Sequence, residues 1–297
     1  MKLPPHLSAL ESEAIHIIRD GFAQASRPVV LFSGGKDSTV LAHLVKRAFF
    51  PARPPIPLLH VDSTWEFADV LAFRDGFAAD HGFDLLVRAN EEGRARGINP
   101  FEHDDLYTTM MRTQALKQAL TDGGYDVIFG GARRDEEATR AKERIASVRN
   151  ANHGWDPRNQ RPELWRCYNW RLAAGQSIRA FPLSNWTEAD LWSYILMRGI
   201  PLAPLYFARE RPVVRRGRLY IMVDDPDRMQ WRPDDQVETL KVRFRTLGCW
   251  PVTAASPSQA DTVEAVALET FRAGHSEREG RLGDGGSLER QKRDGYF

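Results

Sequence analysis

The densest chemical potential in this 297-residue chain lies in six consecutive residues, Ser33-Gly34-Gly35-Lys36-Asp37-Ser38. The run Val29-Val30-Leu31-Phe32 before them is apolar and reads as a buried strand. Thr39-Val40-Leu41 after them opens a segment of helical periodicity. Two glycines let the backbone come close to a ligand and take angles barred to other residues. The first amides of the next helix point into the turn, where the helix dipole favours an anion. Lys36 adds a point charge, and Ser33 and Ser38 add hydroxyl donors. That chemistry is phosphate binding. The competing reading is a plain strand-to-helix turn, for which Lys and Asp are poor choices.

A second glycine pair opens Gly130-Gly131-Ala132-Arg133-Arg134-Asp135-Glu136-Glu137, with Arg140, Lys142 and Arg144 following. Attack by an oxyanion on a phosphate needs cations near both reacting groups. Guanidinium offers a planar fork for a tetrahedral oxyanion, so Arg133 and Arg134 are candidates. The competing reading is a solvated helix face, with Glu136 and Arg140 as an i,i+4 pair. Val61 and Asp62 end a second apolar run and are candidates for nucleotide contact. Magnesium takes one or two carboxylates plus phosphate oxygens, so Asp37 and Asp62 are candidate ligands. Asp37 reads equally as a helix-start charge and Asp62 as a turn cap. His60, His103 and His153 lack metal-ligand spacing and read as packing or surface residues. One tryptophan between 155 and 170 is a candidate cover for a base, although packing is the commoner role.

These residues need a scaffold. Apolar runs at 29–32, 56–61, 84–88, 125–129 and 178–183 read as strands. Helical spacing covers 5–25, 39–50, 67–77, 107–120 and 187–199, the last opened by the capping-box sequence Thr187-Glu188-Ala189-Asp190. The charged stretch 135–144 also reads as a helix. Segments 90–105 and 150–175 read as long loops, and a loop of that length usually has a function such as a lid or an interface. Strands alternating with helices predict a parallel sheet, with ligands at the strands' carboxyl ends. The fold class expected for 1–200 is therefore α/β, a doubly wound, mostly parallel five-stranded sheet. Beyond Pro204 the alternation fails. A short strand at 219–223, a hairpin partner at 213–214 across 215–217, and a helix at 262–271 are the readable elements, while 274–297 is charged and glycine-rich. Residues 201–297 are expected to form an irregular extension that covers the active site and meets a partner.

Composition bounds the functional classes. With 41 basic and 40 acidic residues the net charge is +1, so bulk attraction to nucleic acid or membrane is not expected. No apolar run approaches the roughly eighteen residues of a membrane helix, and the first twenty residues lack a signal-peptide core. Cys167 and Cys249 stand far apart without CxxC spacing. Such usage fits a reducing cytoplasm and argues against a zinc or iron–sulfur site held by this chain alone.

The phosphate loop is not a Walker A motif, since the first glycine of that pattern would fall on Val30 and its Ser or Thr on Asp37. It resembles the Ser-x-Gly-Lys-Asp-Ser loop of the PP-loop ATP pyrophosphatases, which cut ATP between the α- and β-phosphates. Longer segments are more specific: Leu58-Leu59-His60-Val61-Asp62, Gly97-Ile98-Asn99-Pro100-Phe101, the second glycine segment, Trp155-Asp156-Pro157-Arg158-Asn159-Gln160-Arg161-Pro162-Glu163-Leu164-Trp165, Phe181-Pro182-Leu183-Ser184-Asn185-Trp186-Thr187-Glu188, Arg243-Phe244-Arg245-Thr246-Leu247-Gly248-Cys249-Trp250-Pro251, and Arg293-Asp294-Gly295-Tyr296-Phe297. In this order they resemble the small subunit of the bacterial heterodimeric sulfate adenylyltransferase. One residue departs from the pattern, Gly34, where that family often has Ile. The resemblance implies a cytoplasmic enzyme that makes adenosine 5′-phosphosulfate and pyrophosphate from ATP and sulfate with Mg2+. It also implies a translation-factor-like GTPase as large subunit. Having no Walker A, this chain meets GTP only through that partner. By the same resemblance, Ser33, Gly34, Gly35, Lys36, Asp37 and Ser38 contact pyrophosphate, Gly130 and Gly131 border the nucleotide, and Arg133 and Arg134 contact sulfate or the α-phosphate. The nearest rival is a sulfonucleotide reductase, which needs a redox-active cysteine near its C-terminus, and no cysteine follows Cys249. A PP-loop adenylating enzyme with another acceptor, and a non-catalytic nucleotide-binding regulator, are the further alternatives.

Overall fold

The computed structural model of the chain describes residues 2–272, so the expectations for 274–297 lie outside the described residues. The chain opens with α1 (Pro5–Gln24), β1 (Pro28–Leu31), α2 (Lys36–Phe49), β2 (Leu58–Asp62), α3 (Ala68–His81) and β3 (Leu85–Ala89). Two short helices, α4 (Glu91–Ala95) and α5 (Asp104–Tyr107), lead through a π-helical segment (Thr108–Gln114) into α6 (Ala115–Gly123). Then come β4 (Val127–Phe129), β5 (Ala146–Arg149), β6 (Ser177–Ala180) and α7 (Glu188–Arg198). The first sheet has the order β3-β2-β1-β4-β6-β5. Its first five strands run parallel and are the five expected from the sequence. The sixth, β5, runs antiparallel to β6 at the edge.

Alternation along the strands assigns the two faces. Val30, Leu58, Val127 and Phe129 join the core with α1, α2 and α7. Their neighbours Val29, Leu59 and Ile128 pack with Leu116, Ala119 and Leu120 of α6 on the other side. A sheet buried on both faces reads as continuous apolar runs, which is why these strands were legible. The order places β2 and β3 to one side of β1 and β4 to the other. The carboxyl ends of β1 and β4 therefore flank the switch point where α/β sheets open a crevice.

Two expectations need correction. The stretch 135–144 forms no α-helix but two 3-10 turns, Arg134–Glu136 and Ala138–Lys142, broken by extended backbone at Glu137. Its charges are drawn to separate partners: Asp135 accepts the amide of Glu188 at the start of α7, and Glu143 turns inward to Arg149. The region beyond 200 is also not irregular. β7 (Arg209–Arg216), β8 (Leu219–Met222), β9 (Val237–Arg243) and β10 (Ser256–Pro257) make an antiparallel sheet of order β10-β9-β7-β8, followed by α8 (Val263–Arg272). The expected hairpin is present, pairing Val213 with Met222 and Val214 with Ile221. The apolar residues of this sheet share a core with Trp65 and Phe67 after β2, and Trp65 stacks on Trp250 at 5.3 Å.

A buried carboxylate ties the helices on the first face. Glu11 of α1 accepts from the Tyr194 hydroxyl at 2.5 Å and from Arg198 at 2.8 Å, and Arg47 of α2 lies 2.8 Å away. Glu11→Ala would leave the two partly exposed arginines to relax into water but strand the Tyr194 hydroxyl. It should lower stability by about 2–3 kcal/mol, read as a fall in the urea midpoint at unchanged slope.

Candidate active site

The loop between β1 and α2 has the conformation its glycines allow. Gly34 has φ +75°, in the left-handed region, and a side chain there would also crowd Val70, with Cβ 3.0 Å from Val70 Cγ1. The departure from the family pattern thus falls where this backbone favours glycine. Ser38 Oγ and Thr39 Oγ1 donate to the Gly35 carbonyl at 2.9 and 2.8 Å and close the first turn of α2. The Gly35 amide donates to Ser33 Oγ and the Ser33 amide to Ser38 Oγ, both at 3.3 Å. The Lys36 amide donates to the Tyr206 hydroxyl at 2.8 Å, so the segment after α7 also pins the loop.

The loop's charges are paired. Lys36 is buried and its Nζ donates to Asp37 Oδ2 at 3.0 Å, while Arg133 Nε donates to Asp37 Oδ1 at 2.6 Å. Burial opposes ionisation of Asp37, but Lys36 and Arg133 outweigh it and hold its carboxyl well below the usual range. Gly131 packs directly on this loop: a Cβ there would lie 2.9 Å from the Asp37 carbonyl carbon and 3.1 Å from the Ser38 nitrogen.

A cavity of about 260 Å³ opens over these strand ends. Ser33, Gly35, Lys36, Asp37 and Ser38 form its floor, with Gly130, Gly131, Glu136 and Arg140 on one side. His60, Val61, Ser63 and Glu66 from β2 and its following turn face Tyr107, Thr108 and Arg112. Residues Thr246, Leu247, Gly248, Cys249, Val252 and Thr253 of the C-terminal region complete the lining.

Several sequence candidates fall elsewhere. Arg133 stands behind Asp37 and does not line the cavity. Arg134 donates to Asn185 Oδ1 at 2.6 Å and to the Glu143 carbonyl at 3.4 Å, away from it. Extended backbone at Arg133 points consecutive side chains to opposite sides, so one arginine faces the loop and the next does not. Arg112 and Arg140 are the guanidiniums that the fold brings to the lining. Arg112 lies on the π-helical segment, where no local motif marks it. Asp62 accepts the Thr64 amide at 2.6 Å as a turn cap. None of Trp155, Trp165 or Trp170 lines the cavity; Trp155 and Trp170 are buried in packing, and Trp170 Nε1 donates to Asp20 at 2.6 Å.

The two candidate Mg2+ carboxylates, Asp37 and Asp62, already have protein partners. Both Asp37 oxygens are engaged by cations, one Asp62 oxygen is engaged in a turn, and among the described residues no three His, Cys, Asp or Glu side chains cluster to hold a metal. His60 is buried, with Nδ1 bonded to the Phe32 carbonyl at 2.9 Å. Cys249 is a buried free thiol 3.1 Å from Ser63 Oγ, and Cys167 is free and exposed. Among the described residues no helix is long and apolar enough to cross a membrane.

A glycine-rich phosphate cradle at the switch point of a parallel sheet, built without a Walker A sequence, defines an α/β nucleotide-binding domain. Residues 27–255 match the family described as phosphoadenosine phosphosulfate reductase domain. A protein of Chelativorans sp. (strain BNC1) named sulfate adenylyltransferase subunit 2 is 58% identical over 296 residues, covering 98% of each chain. Proteins of the same name from Mesorhizobium japonicum (58%, 98% of each chain) and Brucella ovis (56%, the whole of both) are similarly close. This chain belongs to the sulfate adenylyltransferase subunit 2 family. Among solved structures, a phosphoadenylyl-sulfate reductase from Candida auris aligns over 69% of this chain and 92% of its own, at 16% identity and a TM-score of 0.49.

Two outcomes test this geometry. Gly131→Ala forces a methyl group against the Asp37–Ser38 backbone and should weaken ATP binding about tenfold, measured at equilibrium on the folded variant; unchanged affinity would contradict the close approach. The second concerns Glu66. Burial, joined by the Asp62 charge, pushes its carboxyl up to about 7, against two hydrogen bonds from Ser63. Between its ordinary value of 4.5 and 7 the folded state keeps a proton that the unfolded chain has lost, so Glu66 makes stability fall as pH rises. Glu66→Gln should remove that fall, and its stability relative to wild type should be higher at pH 8 than at pH 5 in urea titrations.

Proposed function

We propose that this chain carries the adenylyl-transfer site of a sulfate adenylyltransferase. It converts ATP and sulfate into adenosine 5′-phosphosulfate and pyrophosphate, and a separate GTPase subunit drives the reaction. The observation that carries this reading is the Ser33–Ser38 cradle, with its buried Lys36, opening into a cavity at the sheet's switch point in a chain of this family. In this reading the loop amides, Ser33, Ser38 and Lys36 receive the β- and γ-phosphates. A sulfate oxygen forms a bond to the α-phosphorus as the bond to the β-phosphate oxygen breaks, and that electron pair leaves with pyrophosphate. The nucleophile is already an oxyanion, so the site needs position and charge rather than a general base. Asp37 holds Lys36 in place, and Arg133 acts through Asp37 rather than on the substrate. Val61, at the end of β2, borders the nucleotide.

The product anhydride lies uphill of ATP and sulfate, and a GTPase of the translation-factor type supplies the drive. The name "subunit 2" shared by the relatives supports a second polypeptide, and GTP has no Walker A motif to meet here. Residues 201–297 act as the site's cover and as a partner surface; the lining by 246–253 supports the first role. A divalent ion enters with the triphosphate, as part of the substrate. The mixture with its GTPase partner should release pyrophosphate from ATP only when sulfate is present. Lys36→Ala should lower that release at least about 100-fold while the protein stays folded by circular dichroism. Pyrophosphate release indifferent to sulfate would sink the assignment, and an active Lys36→Ala variant would sink the role of the loop.

A further inference from the structure

With the loop committed to pyrophosphate, the second anion of the reaction needs its own cation. Arg133 and Arg134 are spent on Asp37 and Asn185. Arg140 is buried, lines the cavity beside Gly130 and Gly131, and is bracketed by two carboxylates, Glu136 Oε2 at 3.3 Å and Glu143 Oε2 at 3.9 Å. Glu143 is itself buried, and its other oxygen pairs closely with Arg149 of β5 and accepts from Ser147 Oγ at 3.4 Å. Arg179 of β6 lies fully buried on the neighbouring strand, paired in register with Ser147, and the charge of Arg149 adds to burial in lowering its pKa to about 9. Arg149 and Arg140 thus flank Glu143 along a path from the sheet edge to the cavity wall, with Arg179 buried on the next strand. Glu143, held by Arg149 through one oxygen, keeps its other oxygen 3.9 Å from Arg140. The arrangement puts a buried guanidinium at the cavity with a carboxylate on either side of it.

We propose that Arg140 seats the attacking sulfate, and that Glu143, anchored by Arg149, is the positioning residue that aims it. This rests on the sulfate reading above. A planar fork can grip two oxygens of a tetrahedral dianion, which a lysine ammonium cannot copy. Removing a charge-assisted hydrogen-bond pair should cost about 10- to 100-fold.

The test uses the full complex with its GTPase partner, following sulfate-dependent pyrophosphate release while sulfate and ATP are varied separately. Arg140→Lys should raise the sulfate KM about 10- to 100-fold, with the ATP KM within about twofold. Glu143→Gln keeps the volume but loosens the aim, and should raise the sulfate KM several-fold at unchanged ATP KM. ATP binding by each variant, measured directly, confirms folding. A sulfate KM unmoved by Arg140→Lys, or a rise confined to the ATP KM, overturns the proposal and puts Arg140 on the triphosphate. Glu143→Gln lowering kcat alike at all concentrations, with both KM values intact, overturns the positioning role. If the wild-type complex shows no sulfate dependence, it is the adenylyl-transfer reading that fails.

Discussion

Everything at the cavity hangs on one carboxylate shared by two cations. Asp37 sits at the start of α2, where the helix dipole already favours negative charge, and it joins Lys36 of the same loop to Arg133 from beyond β4. The bond from Arg133 spans the switch point: it fastens the segment after β4 to the loop after β1, beyond the paired residues Val30 and Phe129. It also explains why the β4 end must be glycine. The strand end lies so close to the Asp37–Ser38 backbone that no side chain fits at Gly131. Breaking a buried pair leaves an unpaired charge, which is costly, so loop, strand end and helix start stand or fall together.

The C-terminal region is coupled to this centre rather than appended to it. Tyr206 receives the Lys36 amide, and Trp250 donates its backbone amide to the Trp65 carbonyl at 2.7 Å. Stacking of Trp65 on Trp250, with the Arg228 guanidinium 3.9 Å from the Trp65 ring centroid, fixes the turn after β2 against the second sheet. That contact brings 246–253 over the strand ends. The Ser63–Tyr107–Cys249 contacts then bury the seam, with Tyr107 donating to Ser63 Oγ at 2.8 Å. Burial, reinforced by the neighbouring Cys249, pushes the Tyr107 hydroxyl far above its ordinary pKa, so it stays protonated as a donor there.

The sequence made the parallel sheet readable because each of its strands is buried on both faces and each helix shows a stripe or a cap. β5 escaped notice because its inward residues include Ser147 and Arg149, an ionic lining that looks like a surface strand. β9 escaped because its exposed half, from Val237 through Thr239, breaks the alternation. The phosphate loop was legible since its chemistry is local. The choice between Arg133 and Arg134 was not, because it depends on backbone direction at a single residue. Arg112, Arg140 and the 246–253 lining depend on tertiary placement, and residue type alone does not distinguish them from solvated charge or loop.

The ion pairs also explain how a site of such high charge remains foldable before substrate arrives. Lys36 and Arg140 are both nearly fully buried, and a charge taken out of water without a partner is costly. Asp37 and Glu136 offset that cost for their neighbours by lending negative charge at close range. In a low-dielectric cavity each such pair is strong, and a ligand must offer the cation more than its carboxylate does. A phosphate or sulfate dianion placed nearby offers each cation more charge than the resident carboxylate, so binding can redistribute the interaction without moving the backbone. The carboxylates aim the cations, and they temper the field once a product dianion has to leave.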